Sequence, residues 1–257
     1  MANRKLILIS NDDGYQAKGI NSLVEMVHDL ADIIVCAPDG ARSGFSKAVT
    51  AGRELTVDKV SEDACVQVWS CNGSPVDCIK IALCAICPRV PDLVIGGINH
   101  GDNSGFNAHF SATVGLVTEG CLRGIPSIAF SLCDYDEDAD FKPMTGVVRK
   151  FVSDVLVNGL PYKTCLSINV PKGTDYKGIK YCHMSMGRWN PDVVNLVDFG
   201  DHKTFGISFF NYRIAEVEDD SFDSWAVAHG FVSVTPITLD CTDNDFLKIV
   251  KNKIIEL

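Results

Sequence analysis

Residues 5–14 read KLILISNDDG. The run from Leu6 to Ile9 is continuously apolar, the mark of a strand covered on both faces in a parallel sheet. It leads straight into Ser-Asn-Asp-Asp-Gly, so two adjacent carboxylates, Asp12 and Asp13, stand where a buried strand ends. Like charges that close repel and call for a counter-charge. An arbitrary Asp-Asp pair reads more simply as a helix cap beside a solvated neighbour. Its position after a buried first strand turns the reading towards a site.

The pattern repeats outward from there. Apolar residues at Ile20, Leu23, Val24, Met26, Val27 and Leu30 suit one helix face. ADIIVCAP (31–38), PDLVIGGIN (91–99) and PSIAFSL (126–132) read as further buried strands. SPVDCIKIALCAI (74–86) fits a helix, with Ser74 as cap and Pro75 at its first position. SATVGLVTEGCLRG (111–124) fits another, capped by Ser111. RELTVDKV and ACVQVWSC alternate like a hairpin or sheet extension. Strand and helix in alternation, joined by short connections, imply right-handed crossovers and a mostly parallel sheet. The fold class is therefore α/β, with residues 1–135 a three-layer Rossmann-like core. Asp12, Asp13 and Asn99 fall just after predicted strands, on the rim where such sheets bind ligands.

The remainder is less regular. DYDEDADFKP (134–143) reads as an acidic exposed loop, MTGVVRKFVSDVLVNGLP as an amphipathic helix and CLSINVP as a strand. Residues 176–223 look loop-like, with scattered aromatics at Tyr181, Trp189, Phe199, Phe205, Phe209 and Phe210. A bare loop of that length is unusual inside a compact domain, so an arm or hairpin packing on another subunit is expected. FVSVTPITLD then returns a strand to the core, giving an arm and returning strand over 176–240. DNDFLKIVKNKI lies in a terminal helix over 243–257, capped by Asp243 or Asn244. The whole of 1–257 is read as a single domain.

Composition excludes several classes. The 257 residues are 46% hydrophobic and 22% charged, with a formal net charge of -10. A sequence pI near 5.0 and the lack of any Lys/Arg cluster argue against a nucleic-acid polymer as partner. No apolar run approaches the roughly 20 residues that cross a bilayer, so no membrane is expected. The N-terminus enters a strand without a secretory signal. Eleven scattered cysteines, an odd number, do not make a disulfide framework and predict a reducing, cytoplasmic setting with small buried thiols. CAIC (84–87) ends a helix instead of starting one and lacks a second ligand pair, so neither redox nor zinc chemistry fits it, and buried structural thiols are expected.

Three rim segments carry the chemistry. Asp12 and Asp13 offer hard oxygen ligands of the kind Mg²⁺ or Mn²⁺ prefers. GGINHGDNSGFN (96–107) packs amides and carboxylates among glycines, so backbone amides and the following helix N-terminus can cradle a phosphate. The same residues also make ordinary turns. PDGARSGFSKAV (38–49) adds the hydroxyls of Ser43 and Ser46 and the cations Arg42 and Lys47. His100 and His109 flank the glycine-rich segment within reach of a substrate. There is no GxGxxG, no GxxxxGK[ST], no HExxH and no GxSxG. A Rossmann NAD(P) enzyme is thereby set aside.

ISNDDG, APDGARSGFS, NGSPVDC, GGINHGDNSG, FSATVGLVTEG and FVSVTPITLD together resemble the SurE family of stationary-phase survival proteins, in the family's order and spacing from residue 6 to about 240. The resemblance implies a Rossmann-like core with an extended C-terminal hairpin exchanged between subunits, in a homodimer or homotetramer. It implies one divalent metal ion per subunit, Mg or Mn, held by Asp12, Asp13, Ser43 and Asn99. It implies hydrolysis of nucleoside 5′-monophosphates, in some members also 3′-monophosphates or short polyphosphate. Asp12 and Asp13 are the expected catalytic residues, acting through metal-activated water. Gly101, Asn103, Ser111 and Thr113 are expected on the phosphate. Asp223 matches an aspartate near the end of the exchanged segment, where a subunit-contact or hinge role is expected.

Four positions depart from the family pattern: Gly96 stands for a usual Ser, Ala112 for a usual Gly, Ser74 for a frequent Thr and Asn107 for a frequent Asp. Gly96 and Ala112 bear on the phosphate pocket, where the methyl of Ala112 would crowd an anion if a glycine were needed for close approach. They motivate the rival reading of a nucleotide-binding sensor with weakened catalysis.

Overall fold

The structure, a computed structural model, describes residues 4–190, 193–207, 213–215 and 219–250. Nine strands form one sheet. In chain order they are β1 (Leu6–Ser10), β2 (Asp32–Pro38), β3 (Val57–Glu62), β4 (Val66–Cys71), β5 (Leu93–His100), β6 (Ser127–Cys133), β7 (Thr164–Pro171), β8 (Ile179–Tyr181) and, after the arm, β13 (Val232–Thr238). Their spatial order is β3-β4-β2-β1-β5-β6-β7-β13-β8. Strands β4, β2, β1, β5, β6 and β7 run parallel, while β3 pairs antiparallel with β4 and β13 antiparallel with β7. The expected α/β class, the early hairpin and the returning strand are all present.

The helices flank this sheet on both faces. They are α1 (Lys18–Val27), α2 (Pro75–Ile81), α3 (Ala112–Leu122) and α4 (Thr145–Asn158). Strand alternation divides the core between them. Ile7 and Ile9 point to the α1/α4 side, joining Leu23, Val148 and Phe151. Leu6 and Leu8 point to the α2/α3 side, joining Ile79, Leu116 and Val117. Each such buried aliphatic side chain contributes about 1.5–3 kcal/mol of transfer free energy. Helix α3 buries every residue except Leu122, which is why its sequence shows no polar face.

Local chemistry starts the helices where the sequence places them. The Ser74 hydroxyl accepts from Asp77 N while the Asp77 carboxylate accepts from Ser74 N, a reciprocal cap. A serine fills this role as the frequent threonine would. The Ser111 hydroxyl accepts from Val114 N at 3.1 Å. The stretch expected as one helix from Ser74 divides, its last turn at Ala82–Ile86 being a π-helix.

The segment between β8 and β13, expected as an arm, carries strands of its own. It comprises β9 (Gly187–Trp189), β10 (Val193–Phe199), β11 (His202–Ile207) and β12 (Arg213–Ala215), then α5 (Asp223–Ala228). Strands β10 and β11 form an antiparallel hairpin, and β12 pairs antiparallel with β9. Phe209 and Phe210 lie outside the described residues, as does the end of the terminal helix, which is seen as α6 (Asn244–Val250). Asp243 caps α6, accepting from Asp245 N and Phe246 N. No helix among the described residues is long and apolar enough to cross a membrane.

Three expectations change. The 134–143 loop is not wholly exposed: Ala139 and Phe141 join the core, and Asp134 is buried against Lys172. In the CAIC segment Cys84 is exposed, and Cys87 is half-buried with its thiol pushed up to about 12 by burial. Asp223 is an internal clasp. It is 1% exposed and accepts from Gly105 N, Ser185 N, Ser224 N and the Thr235 hydroxyl. One carboxylate thereby ties the loop before α3, the arm base and β13 together.

Candidate active site

Strand order reverses direction between β1 and β5. After β1 the chain builds outward through β2 to β4, and from β5 it builds the other way through β6 to β7. A crevice must open beyond the carboxyl ends at such a switch point. Asp12 and Asp13 follow β1, whereas Asn99, expected just after its strand, is the penultimate residue of β5, which runs on to His100. Backbone geometry at β5 requires glycine: Gly97 has φ +121°, and a Cβ there would come within 2.4 Å of Phe130 O.

The side chains converge through Thr113, in the first turn of α3. Its hydroxyl donates to Asp12 Oδ1 and also lies 3.2 Å from Asn99 Oδ1. The Asn99 amide nitrogen is committed to Gly101 O at 2.8 Å, which leaves the Asn99 oxygen facing Thr113. The Asp13 carboxylate accepts from His100 N at 3.4 Å. Arg42 N donates to Asp12 O at 2.6 Å, which pins the loop carrying Ser43 against the end of β1.

Asp12, Ser43, Asn99, Gly101, Asn103 and Ser111 line one cavity of about 150 Å³. Asp13 and Thr113 are not on its wall; Thr113 is fully buried behind Asp12. Asn103 is held from below, its amide donating to Ser131 Oγ at 2.9 Å and its backbone N–H to Asn169 Oδ1 at 3.0 Å. His100 lines the cavity while His109 does not. Arg42 is turned to Asp39. Neither Gly96 nor Ala112 is on the cavity wall. A Cβ at Gly96 would come within 2.8 Å of Thr113 O, so the missing side chain is a matter of α3 packing against β5.

The electrostatics are lopsided. No Lys or Arg among the described residues forms an ion pair with Asp12 or Asp13. Burial first, and then the neighbouring Asp13 charge, pushes the Asp12 carboxyl up to about 7. Burial also raises Asp13. Buried Asp12, the Ser43 hydroxyl and the Asn99 amide oxygen on the wall, with the half-buried Asp13 next to Asp12 in the chain but off the wall, make a hard, all-oxygen donor set of the kind that suits Mg²⁺ or Mn²⁺. No group of three His, Cys, Asp or Glu suited to a metal occurs among the described residues. The fit is chemical: a cation would offset the burial, and at Asp12 also the neighbouring Asp13 charge, that disfavours the ionised carboxylates.

The family model described as Survival protein SurE matches residues 7–191. The chain belongs to the SurE family. It is 44% identical to a protein of Bacteroides thetaiotaomicron named 5′-nucleotidase SurE, over 96% of this chain and 95% of that one. It is 43% identical to a Phocaeicola vulgatus protein of the same name, over 99% and 98% of the two chains. Among solved structures, the SurE protein of Aquifex aeolicus superposes with a TM-score of 0.81 at 34% identity, covering 96% of this chain and 98% of that one. This SurE chain therefore shares its fold along almost its whole length with its relatives.

Sequence reasoning missed two kinds of residue. For Thr113, named on the phosphate, nothing in the sequence signalled the hydroxyl contacts to Asp12 and Asn99. Phe110, Tyr135 and Trp189 complete the cavity wall, and only the last was singled out, as one arm aromatic among several.

Proposed function

We propose that this SurE-family chain is a divalent-metal-dependent 5′-nucleotidase, hydrolysing nucleoside 5′-monophosphates to nucleoside and phosphate. Nucleoside 3′-monophosphates and short polyphosphate are further substrates of the same chemistry. One observation carries the proposal: Thr113 joins Asp12 to Asn99 on the wall of a switch-point cavity that Ser43 also lines.

In this reading Asp12, Asp13, Ser43 and Asn99 hold one Mg²⁺ or Mn²⁺ per subunit. When bound, that ion polarises a phosphoryl oxygen and acidifies the water that attacks phosphorus. The protein supplies the rest. Thr113 fixes the Asp12 oxygen and, through Asn99, the far side of the donor set. Gly101, Asn103 and Ser111 receive the phosphate beside the N-terminal amides of α3, where the helix dipole favours an anion. Ser111 doubles as the cap of that helix, so the phosphate subsite and the helix start are one construction.

The sensor reading rested on Gly96 and Ala112, and it loses its support because neither residue lines the cavity. The nucleotidase names of the relatives favour catalysis. We also place the chain in the cytoplasm as a homodimer or homotetramer with an exchanged C-terminal segment. The exposed Leu196, Phe205 and Ile207 on the β10–β11 hairpin support a second copy covering it.

The test is AMP hydrolysis with Mg²⁺ or Mn²⁺ by Asp12→Asn and Asp13→Asn variants. Loss of activity should exceed the roughly 10–100-fold cost of removing a mere supporting partner. Full activity in either variant would remove that aspartate from the metal set.

A further inference from the structure

The cavity carrying Asp12 and Asn99 measures about 150 Å³, well below the roughly 300–1,000 Å³ of sites that enclose a whole small molecule. It accommodates a phosphate, so the nucleoside of any bound nucleotide must extend past its mouth. Three aromatic rings stand there. Phe110 is the residue just before the Ser111 cap, Trp189 closes β9 of the arm, and Tyr135 follows β6.

These rings are organised. Phe110 and Trp189 have centroids 4.8 Å apart at a 42° tilt, and the buried Phe106 meets Trp189 edge-on at 5.4 Å. Phe106 thus buttresses Trp189 from behind, leaving Phe110 with 46% of its surface exposed at the mouth. Tyr135 is 53% exposed and packs against Gly101, where even a Cβ would come within 2.7 Å of its ring. Its hydroxyl accepts from Asp102 N at 3.2 Å, which fixes the ring in place. An exposed large apolar face of this kind, fixed beside a phosphate-sized cavity, is a stacking platform. Phe110 offers no hydrogen-bonding group, and the Tyr135 hydroxyl is already engaged.

We infer that Phe110 and Trp189, with Tyr135, form the base-stacking rim of the substrate site. The rim selects nucleotides over non-aromatic phosphomonoesters while discriminating weakly among bases, because every base has a stacking face. The inference rests on the nucleotidase reading above, and it makes Phe110 and Trp189 specificity-determining residues. They touch the base and leave the reacting phosphorus to the buried wall.

The experiment compares kcat/KM for AMP with kcat/KM for ribose 5-phosphate under Mg²⁺ or Mn²⁺. The variants are Phe110→Leu, which keeps an apolar contact on Trp189, and Trp189→Phe, which keeps a smaller ring. In Phe110→Leu the AMP/ribose 5-phosphate ratio should fall about 5- to 150-fold, the range that losing one stacking face produces. The fall should lie mainly in KM for AMP, as for an interaction made equally in ground and transition states. Trp189→Phe should fall between Phe110→Leu and the native chain. AMP, GMP, CMP and UMP should differ in the native chain by no more than about tenfold. An unchanged ratio, whether both substrates decline together or neither does, overturns the rim. A native chain that turns over ribose 5-phosphate as well as AMP also overturns it. A native chain that hydrolyses phosphomonoesters but no nucleotide overturns the nucleotidase reading itself, a result the variants alone cannot produce.

Discussion

The two walls of the cavity are built by opposite means. One is made of Asp12 and Asn99 with Thr113 behind them, all at most 8% exposed and fixed by the ends of β1 and β5 and the first turn of α3. The other is made of Phe110 and Tyr135, about half exposed, and of Trp189, delivered from the arm. Chemistry that depends on fractions of an ångström sits on buried sheet and helix ends. Readout of a flat base tolerates adjustment, and it sits on loops and on a segment joined to the core through its edges. The two walls should therefore fail differently when disturbed.

The largest effect should come from Asp223, which ties the walls together. Asp223→Ala leaves Gly105 N, Ser185 N, Ser224 N and the Thr235 hydroxyl without their acceptor. At about 1–3 kcal/mol for each of the three fully buried donors, less what water recovers, the loss should be about 3 kcal/mol or more. Urea unfolding measures it. A change under about 1 kcal/mol would show that the clasp does not join arm and core.

Next comes the coupling of metal to pH, which belongs to the buried wall alone. The Asp12 carboxyl is raised from 3.8 to about 7, chiefly by burial. Between those values the folded metal-free chain holds more protons than the unfolded chain, so its stability falls as pH rises through this window. A cation takes the place of the proton. Mg²⁺ or Mn²⁺ should thus stabilise little near pH 4.5 and progressively more towards pH 8, by about 2.7 kcal/mol at a hundred times its Kd. Thermal melts with and without the ion, taken across that range, should diverge as pH rises. Parallel melting curves would contradict the donor set.

Thr113→Val should follow. It keeps the shape of the first turn of α3 and removes the hydroxyl that Asp12 accepts from. A supporting partner of a metal ligand is worth roughly 10–100-fold in metal affinity or activity. The loss should fall alike on AMP and ribose 5-phosphate, whereas rim variants separate the two substrates. A Thr113→Val chain that separates them would place Thr113 on the substrate side.

The same contrast explains what could be read from the sequence. The place of Asp12 beyond β1 was legible because a buried parallel strand announces itself as an apolar run and the residues after it lie at its carboxyl end, whereas Asn99 sits inside β5 and Asp13 stays off the cavity wall. Ser74 and Ser111 were legible because capping is a local rule. The contact of Thr113 with Asp12 was not legible, since spacing fixes a helical position but not which neighbour a hydroxyl finds. Trp189 was beyond local reading. It reaches the mouth through β9, a strand of three residues whose partner β12 lies more than twenty positions further on. Asp223 draws donors from segments as far away as Gly105, and no periodicity encodes such a junction.

The smallest effect tests where the two walls meet. Asn107 lines the cavity, its amide donating to Asp102 O at 3.3 Å, while its buried Oδ1 has no hydrogen-bond partner among the described residues. The family frequently carries Asp at this position, so Asn107→Asp changes charge with almost no change in shape. A further carboxylate in the cavity favours a cation and disfavours a phosphate dianion. The variant should bind Mn²⁺ a few-fold more tightly and show a KM for AMP raised a few-fold, with kcat little changed. Both shifts should shrink as ionic strength rises, because partly screened charges produce them. The base preference should stay where it was, since stacking does not depend on that charge. If Asn107→Asp instead altered the ranking of AMP, GMP, CMP and UMP, Asn107 would belong to the base-reading wall, and the boundary between the two walls would have to move inward past it.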